Sequence, residues 1–246
     1  MEQGRWPKGL GRWSIPHTAS ISFLALALAA CEAEAPVAEA PARSEAGSPT
    51  NAQVPVMGPE RRILAFGDSL FAGYNVPKAD SYPAKLEVAL RAQGINARIT
   101  NAGVSGDTSA AGLQRFEFTL DSMAEPPELL ILGLGGNDLL RGLSPDETRS
   151  NLETMIRTAQ DRGIDVLLMG IQAPPNMGAQ FVQQFNNLYP ALAEQYGTDI
   201  IPFWVEAVAG RPELIQQDRI HPTADGIEVL VAETLDEVVS ALPPEE

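Results

Sequence analysis

Residues 62–70 read Arg62-Ile63-Leu64-Ala65-Phe66-Gly67-Asp68-Ser69-Leu70. A short unbroken apolar run closed by a Gly-Asp-Ser turn is what a strand buried on both faces requires, since neither face can carry polar side chains. The pattern recurs downstream, with further strands expected over 97–101, 128–134, 165–171 and 199–203. Amphipathic stretches separate them. Ser144-Pro145-Asp146-Glu147 reads as a capping box with proline at the first helical position, followed by Leu152, Met155, Ile156 and Ala159 on one face and a stop at Gly163. A last helix starts at Thr223 and carries Ile227, Leu230, Val231, Leu235, Val238, Val239 and Leu242 on one stripe. Strands alternating with such helices predict an α/β fold: a three-layer αβα sandwich, flavodoxin-like, around a mostly parallel five-stranded sheet spanning 61–246.

Upstream of this domain the composition changes twice. Arg5, Lys8 and Arg12 give a positive start, the stretch 15–30 is largely apolar, and it ends in Leu28-Ala29-Ala30 before Cys31. That predicts an export signal over 1–30, too short for a comfortable membrane span of about 20 apolar residues. Leu-Ala-Ala-Cys resembles a bacterial lipobox, which makes Cys31, the lone cysteine, the expected lipidation site; plain cleavage or an uncleaved anchor is the alternative. Residues 31–60, rich in Ala, Pro, Glu and Ser, are expected to be a disordered tether, because they have too little apolar surface to offset ordering entropy.

Charge and residue counts exclude several functions. There are 17 basic against 32 acidic residues, a net charge of −15, so a nucleic-acid partner is excluded. Removing residues 1–30 takes away three basic and one acidic residue and moves the charge to −17. With one Cys and two His, neither a disulfide framework nor a His/Cys zinc site is available; no metal and no cofactor are expected.

In parallel α/β sheets the working residues lie just beyond the C-terminal ends of strands. There the sequence places Gly67-Asp68-Ser69-Leu70, Asn101-Ala102-Gly103, Gly135-Gly136-Asn137-Asp138 and, before the last helix, Asp218-Arg219-Ile220-His221-Pro222. Each has a bland reading taken alone: a turn, half a dinucleotide loop, a structural histidine. The dinucleotide reading fails because Asp138 stands where the third glycine is needed, and the Gly-x-Ser-x-Gly elbow is absent because Leu70 and Phe71 follow Ser69.

Together the four blocks resemble the SGNH or GDSL hydrolases, over essentially the whole of 61–242, and within them the bacterial thioesterase I, lysophospholipase and arylesterase branch. The matches extend through Asn101–Thr108 and to Arg141-Gly142, and no block departs from the family pattern. The lipobox and tether are unlike its secreted periplasmic members. The resemblance implies a serine hydrolase whose residue types fit acyl transfer. Ser69 is the expected nucleophile, His221 the base, Asp218 the carboxylate orienting it, and the N–H groups of Ser69 and Gly103 with the Asn137 amide the oxyanion donors. His221 is the only imidazole beyond residue 30, and activity is expected to rise with pH through one neutral-range ionisation. Asp68, Asp107 and Asp138 are read as turn and cap residues rather than a second acid or metal site, with Asp107-Thr108 opening a helix. Leu70, Phe71, Leu139, Leu140, Ile171, Pro174, Pro175 and Phe181 are either core or an acyl groove.

The expected function is hydrolysis of acyl esters and thioesters, lysophospholipids included, by a monomer held to the cell envelope through a lipidated N-terminus. The alternatives are an O-acetyl esterase of cell-wall or plant glycans and a non-catalytic envelope lipoprotein. Apolar residues around the site weigh against the first, the intact Ser, Asn, Asp and His against the second.

Overall fold

The computed structural model describes residues 56–244; the expected signal over 1–30, Cys31 and most of the tether lie outside them. Five strands, β1 (Arg61–Gly67), β2 (Ala97–Gly103), β3 (Leu129–Gly133), β4 (Asp165–Met169) and β5 (Asp199–Ile201), form one wholly parallel sheet in the order β2-β1-β3-β4-β5. The chain leaves β1 to one side for β2 and returns to its other side for β3. That reversal opens a crevice at the C-terminal ends of β1 and β3.

Alternation along the strands explains the unbroken apolar runs. Leu64, Phe66, Leu130, Leu132 and Leu168 belong to one core cluster, with Phe116 of α3 (Ser109–Asp121), Leu152, Met155 and Ile156 of α5 (Pro145–Asp161) and Phe185 and Leu188 of α6 (Ala179–Tyr196). Ile63, Ala65, Leu129, Ile131 and Leu167 belong to the other, with Tyr82, Leu86 and Leu90 of α2 (Tyr82–Ala92) and Ile227, Leu230, Val231 and Val238 of α7 (Ala224–Ala241). Successive residues point to opposite faces and both faces are covered.

The expected elements are all present, with differences at their ends. β5 stops at Ile201, since Pro202 has no N–H to extend the ladder. Thr223 caps α7 through its hydroxyl, and Thr108 caps α3. Ser144 is the N-cap of α5, but its side chain makes no capping bond; its carbonyl instead accepts from the N–H and hydroxyl of Thr148.

The register aligns Gly67 with Gly103 on one side and Gly133 on the other, a row of glycines across the sheet's C-terminal edge. A Cβ at Gly103 would stand 2.4 Å from the Ala72 nitrogen, and one at Gly133 would stand 2.8 Å from the Phe71 ring. Missing side chains therefore let α1 (Ser69–Ala72) settle directly onto the strand ends, with Phe71 stacked on Tyr82 beneath it. The Gly67-Asp68-Ser69 turn is pinned over the crevice as a result.

Candidate active site

Asp68 is the N-cap of α1. Its Oδ1 accepts from the Leu70 N–H at 3.0 Å, and Ser69 opens the helix half-buried. His221 arrives on a compact loop closed by the Ile215–Pro222 bridge and by the Gln216 N–H donating to the His221 carbonyl at 2.8 Å. Within it Asp218 Oδ1 accepts from the N–H groups of Ile220 and His221 at 2.9 and 3.0 Å, an Asx turn that fixes the carboxylate. Its Oδ2 lies 2.7 Å from His221 Nδ1, and His221 Nε2 lies 2.8 Å from Ser69 Oγ. Carboxylate, imidazole and hydroxyl thus stand in series, the order that lets an imidazole take the hydroxyl proton while the carboxylate holds its far nitrogen.

The three expected oxyanion donors differ in their state. The Ser69 N–H has no partner among the described residues. The Gly103 N–H donates to Asn101 Oδ1 at 2.9 Å, and the Asn137 amide donates to the Asp107 carbonyl at 3.0 Å and to Asp68 Oδ2 at 3.2 Å. Asn137 sits in α4 (Gly136–Leu140), whose N-cap Gly135 has φ of 110°, where a Cβ would meet the Tyr189 hydroxyl at 2.2 Å. Beside it the buried Asp138 accepts from the N–H and hydroxyl of Ser109 and from the Thr148 hydroxyl, which ties α3, α4 and α5 together.

Asp107 does not cap α3. Its carboxylate pairs with Arg115 Nε at 2.6 Å, and Arg115 also donates to the Gly67 carbonyl at 3.0 Å with its guanidinium 4.0 Å above the Phe66 ring. Arg141 reaches the Gly106 carbonyl at 2.8 Å. These cations brace the loop after β2 against β1 and α4. Arg115 carries no signal in the sequence, since arginines in helices are common, and Arg141 lies within the Arg141-Gly142 match without a role attached to it.

Of the apolar residues near the site, Phe71 and Leu139 are buried in the core and Leu70, Ile171 and Phe181 are half-buried against it, whereas Leu140, Pro174 and Pro175 are exposed. Among the described residues no group of three His, Cys, Asp or Glu is placed to hold a metal ion.

Two carboxyls near the site are displaced in opposite directions. Burial pushes Asp68 from 3.8 up to about 6, against the Leu70 N–H, the His221 charge and the Asn137 amide, which pull it down. For Asp218, desolvation pushes up but is outweighed by the bonds from the His221 ring and from the His221 and Ile220 N–H groups, so it lies at about 2. Asp218 therefore contributes stability that is present above pH 4 and is lost as pH falls toward 2. Asp68 has the opposite sign: between pH 4 and 6 the unfolded chain is already ionised while the native one must ionise in a dry site, so stability declines across that window, by at most about 3 kcal/mol. The stability difference between wild type and Asp68→Asn, measured by urea unfolding at pH 4 and pH 7, is expected to shift in the variant's favour at the higher pH; a difference independent of pH would show that Asp68 titrates as it does in the unfolded chain.

A family model described as the GDSL-like lipase/acylhydrolase family matches residues 65–229. The chain is 41% identical over 160 residues to the esterase TesA of Pseudomonas aeruginosa, covering 65% of this chain and 79% of that one. It is 35% identical over 163 residues to thioesterase 1/protease 1/lysophospholipase L1 of Escherichia coli K12, covering 66% and 76%. The crystal structure of AlinE4, an SGNH-hydrolase family esterase, superposes with a TM-score of 0.65 at 61% identity, covering 76% of this chain and all of that one. In two further structures of that esterase a serine and an aspartate are each replaced, and their separation along that chain equals that between Ser69 and Asp218.

Proposed function

The chain belongs to the GDSL-like lipase/acylhydrolase family and is a carboxylic ester hydrolase, and on that premise we propose that it cleaves acyl esters and thioesters, lysophospholipids included, through an acyl-enzyme on Ser69. The observation that carries this is the contact series from Asp218 through His221 to Ser69 Oγ at 2.7 and 2.8 Å. Ser69 Oγ attacks the substrate carbonyl carbon as its proton passes to His221 Nε2, and Asp218 stabilises the imidazolium. The carbonyl oxygen becomes an oxyanion held by the Ser69 and Gly103 N–H groups and the Asn137 amide; it replaces Asn101 Oδ1 as the partner of the Gly103 N–H and Asp68 as the longer contact of the Asn137 amide. Collapse expels the alcohol or thiol, which leaves with the proton from His221. Water then attacks the ester on Ser69 by the same steps in reverse and releases the acid.

The names of the relatives, an esterase and a thioesterase/lysophospholipase, support acyl substrates over glycan acetates. A panel of aryl esters of increasing acyl length, with an acyl thioester, a lysophospholipid and acetylated xylan, tests the reading. Turnover of esters with chains beyond acetyl is expected; activity confined to acetate esters and xylan would replace it with glycan deacetylation, and no turnover at all with a non-catalytic role.

For location we propose that the mature protein begins at Cys31, carries lipid there and is displayed in the cell envelope by the stretch to residue 60. Among the described residues no helix is long and apolar enough to cross a membrane. A mature charge of −17 gives no attraction to anionic lipid, so anchorage falls to acyl chains, each methylene adding about 0.8 kcal/mol. Cys31→Ala is expected to abolish palmitate incorporation and release the protein from the membrane fraction. If wild type takes up no label, or the variant stays membrane-bound, a plain secreted or signal-anchored enzyme replaces the lipoprotein.

A further inference from the structure

We propose that Tyr74 and Gln216 form a clamp that holds the His221 ring in the plane needed for proton transfer, Tyr74 being a positioning residue that acts through the imidazole. The proposal rests on the Ser69–His221–Asp218 reading above and deepens it.

The imidazole is gripped at its two nitrogens, by Asp218 and by Ser69. Bonds at two points of a ring's edge resist sliding but resist tilting about the line joining them only weakly. The Tyr74 ring covers one face, with centroids 4.4 Å apart and planes at 32°, and opposes that tilt. Tyr74 is 43% exposed, unlike the fully buried pairs Phe66–Phe116 and Phe71–Tyr82, so burial does not hold it against His221.

Backbone bonds hold it instead. The Tyr74 N–H donates to the Ser69 carbonyl at 3.2 Å, and its own carbonyl accepts from Gln216 Nε2 at 2.9 Å. The same amide group donates to the Pro222 carbonyl at 2.8 Å, while the Gln216 N–H holds the His221 carbonyl. One glutamine thus joins the loop carrying the tyrosine to the loop carrying the histidine, 142 residues apart in the chain. Both loops contain a non-glycine residue in the left-handed region, Asn75 at φ 57° and Arg219 at φ 62°, strain that persists only where surrounding contacts enforce it.

The stacked face also has an electrostatic consequence. When His221 takes the Ser69 proton, the resulting cation lies against a π face, which favours the charged ring. The charged groups facing the imidazole are Asp218 on its own loop and Asp68 at the end of β1; Arg219 shares its loop, and Ser69 and Tyr74 add a hydroxyl and an uncharged ring. Removing the aromatic face destabilises the cation, so the midpoint of the acid limb of kcat/KM must move down.

The experiment compares Tyr74→Phe, Tyr74→Leu and Gln216→Met on a short aryl ester from pH 5 to 9, with thermal midpoints as a check on folding. Tyr74→Phe keeps the stacked face and is expected within about twofold of wild type. Tyr74→Leu is expected to lower kcat about tenfold with KM little changed and to move the acid-limb midpoint down by about half a pH unit. Gln216→Met keeps the chain length without the two donors and is expected to lower kcat in the same direction. Wild-type kcat and an unmoved midpoint in Tyr74→Leu would overturn the proposal. So would a rise in KM alone, which would make Tyr74 a substrate contact, or an equal loss in Tyr74→Phe, which would assign the effect to the hydroxyl. Full activity in Ser69→Ala would remove the relay itself, whereas an inactive Ser69→Ala beside an unaffected Tyr74→Leu would sink the clamp alone.

Discussion

Ser69→Ala is expected to lower kcat/KM by at least about a thousandfold while leaving the fold intact. The two halves of the expectation come from different contacts. Activity is expected to depend on Oγ because it is the one described hydroxyl in contact with the His221 ring, at 2.8 Å, and an imidazole with no hydroxyl to deprotonate can only assist water. Stability depends little on it, since the hydroxyl is half-buried and its loss removes one hydrogen bond, worth about 1 kcal/mol. The cap that starts α1 belongs to Asp68 and the packing beneath it to Phe71, so neither is disturbed. Purified variant is compared with wild type for aryl ester hydrolysis, circular dichroism and urea midpoint. A natively folded variant retaining more than about a tenth of the wild-type rate would refute the nucleophile assignment.

The reasons the turn carrying Ser69 can be located from sequence are physical, whereas the expected role of Ser69 rests on the family resemblance. A parallel strand covered on both faces leaves a contiguous apolar signature, and Ile63 with Ala65 facing one core and Leu64 with Phe66 facing the other is that signature realised. Its C-terminal end is then known to within a residue or two, and the hydroxyl, amide, carboxylate and imidazole that follow strand ends or precede the last helix are few enough to combine. The glycines at 67, 103 and 133 were visible as residues, but their alignment into one row depends on strand register, which the pairing of β1 with both neighbours sets.

What was not legible depends on contacts between distant segments. Tyr74 and Gln216 are ordinary loop residues until the fold brings their loops together, and Arg115 gains meaning only when α3 lies over Phe66 and the Gly67 carbonyl. The sequence reads Asp107 and Asp138 as turn and cap residues because local sequence offers an aspartate its own backbone; tertiary structure offers an arginine to the first and three hydroxyl and amide donors to the second. The Asp138 contacts with Ser109 and Thr148 and the Arg115 contact with the Gly67 carbonyl exist only once separate elements are packed together, and sequence spacing carries no record of them.

Asn137→Ala is expected to lower kcat about a hundredfold or more with a much smaller effect on KM, because the amide would bind charge that exists only in the transition state. Its present partners add a second consequence. The amide bridges the Asp107 carbonyl and the buried Asp68 carboxylate, so truncation deprives both of a donor and is expected to cost about 1–3 kcal/mol of stability. The two effects separate by condition. Protonation of Asp68, which lies at about 6, relieves its need for a donor at low pH, so the stability deficit of the variant should be smaller at pH 5 than at pH 8. The loss in kcat persists wherever the enzyme is folded. Kinetics at saturating and limiting ester, paired with urea unfolding at both pH values, measures each. A variant whose kcat is retained while KM rises would make Asn137 a ground-state contact, and one whose activity loss simply tracks its unfolded fraction would make it a structural bridge between Asp68 and the loop after β2.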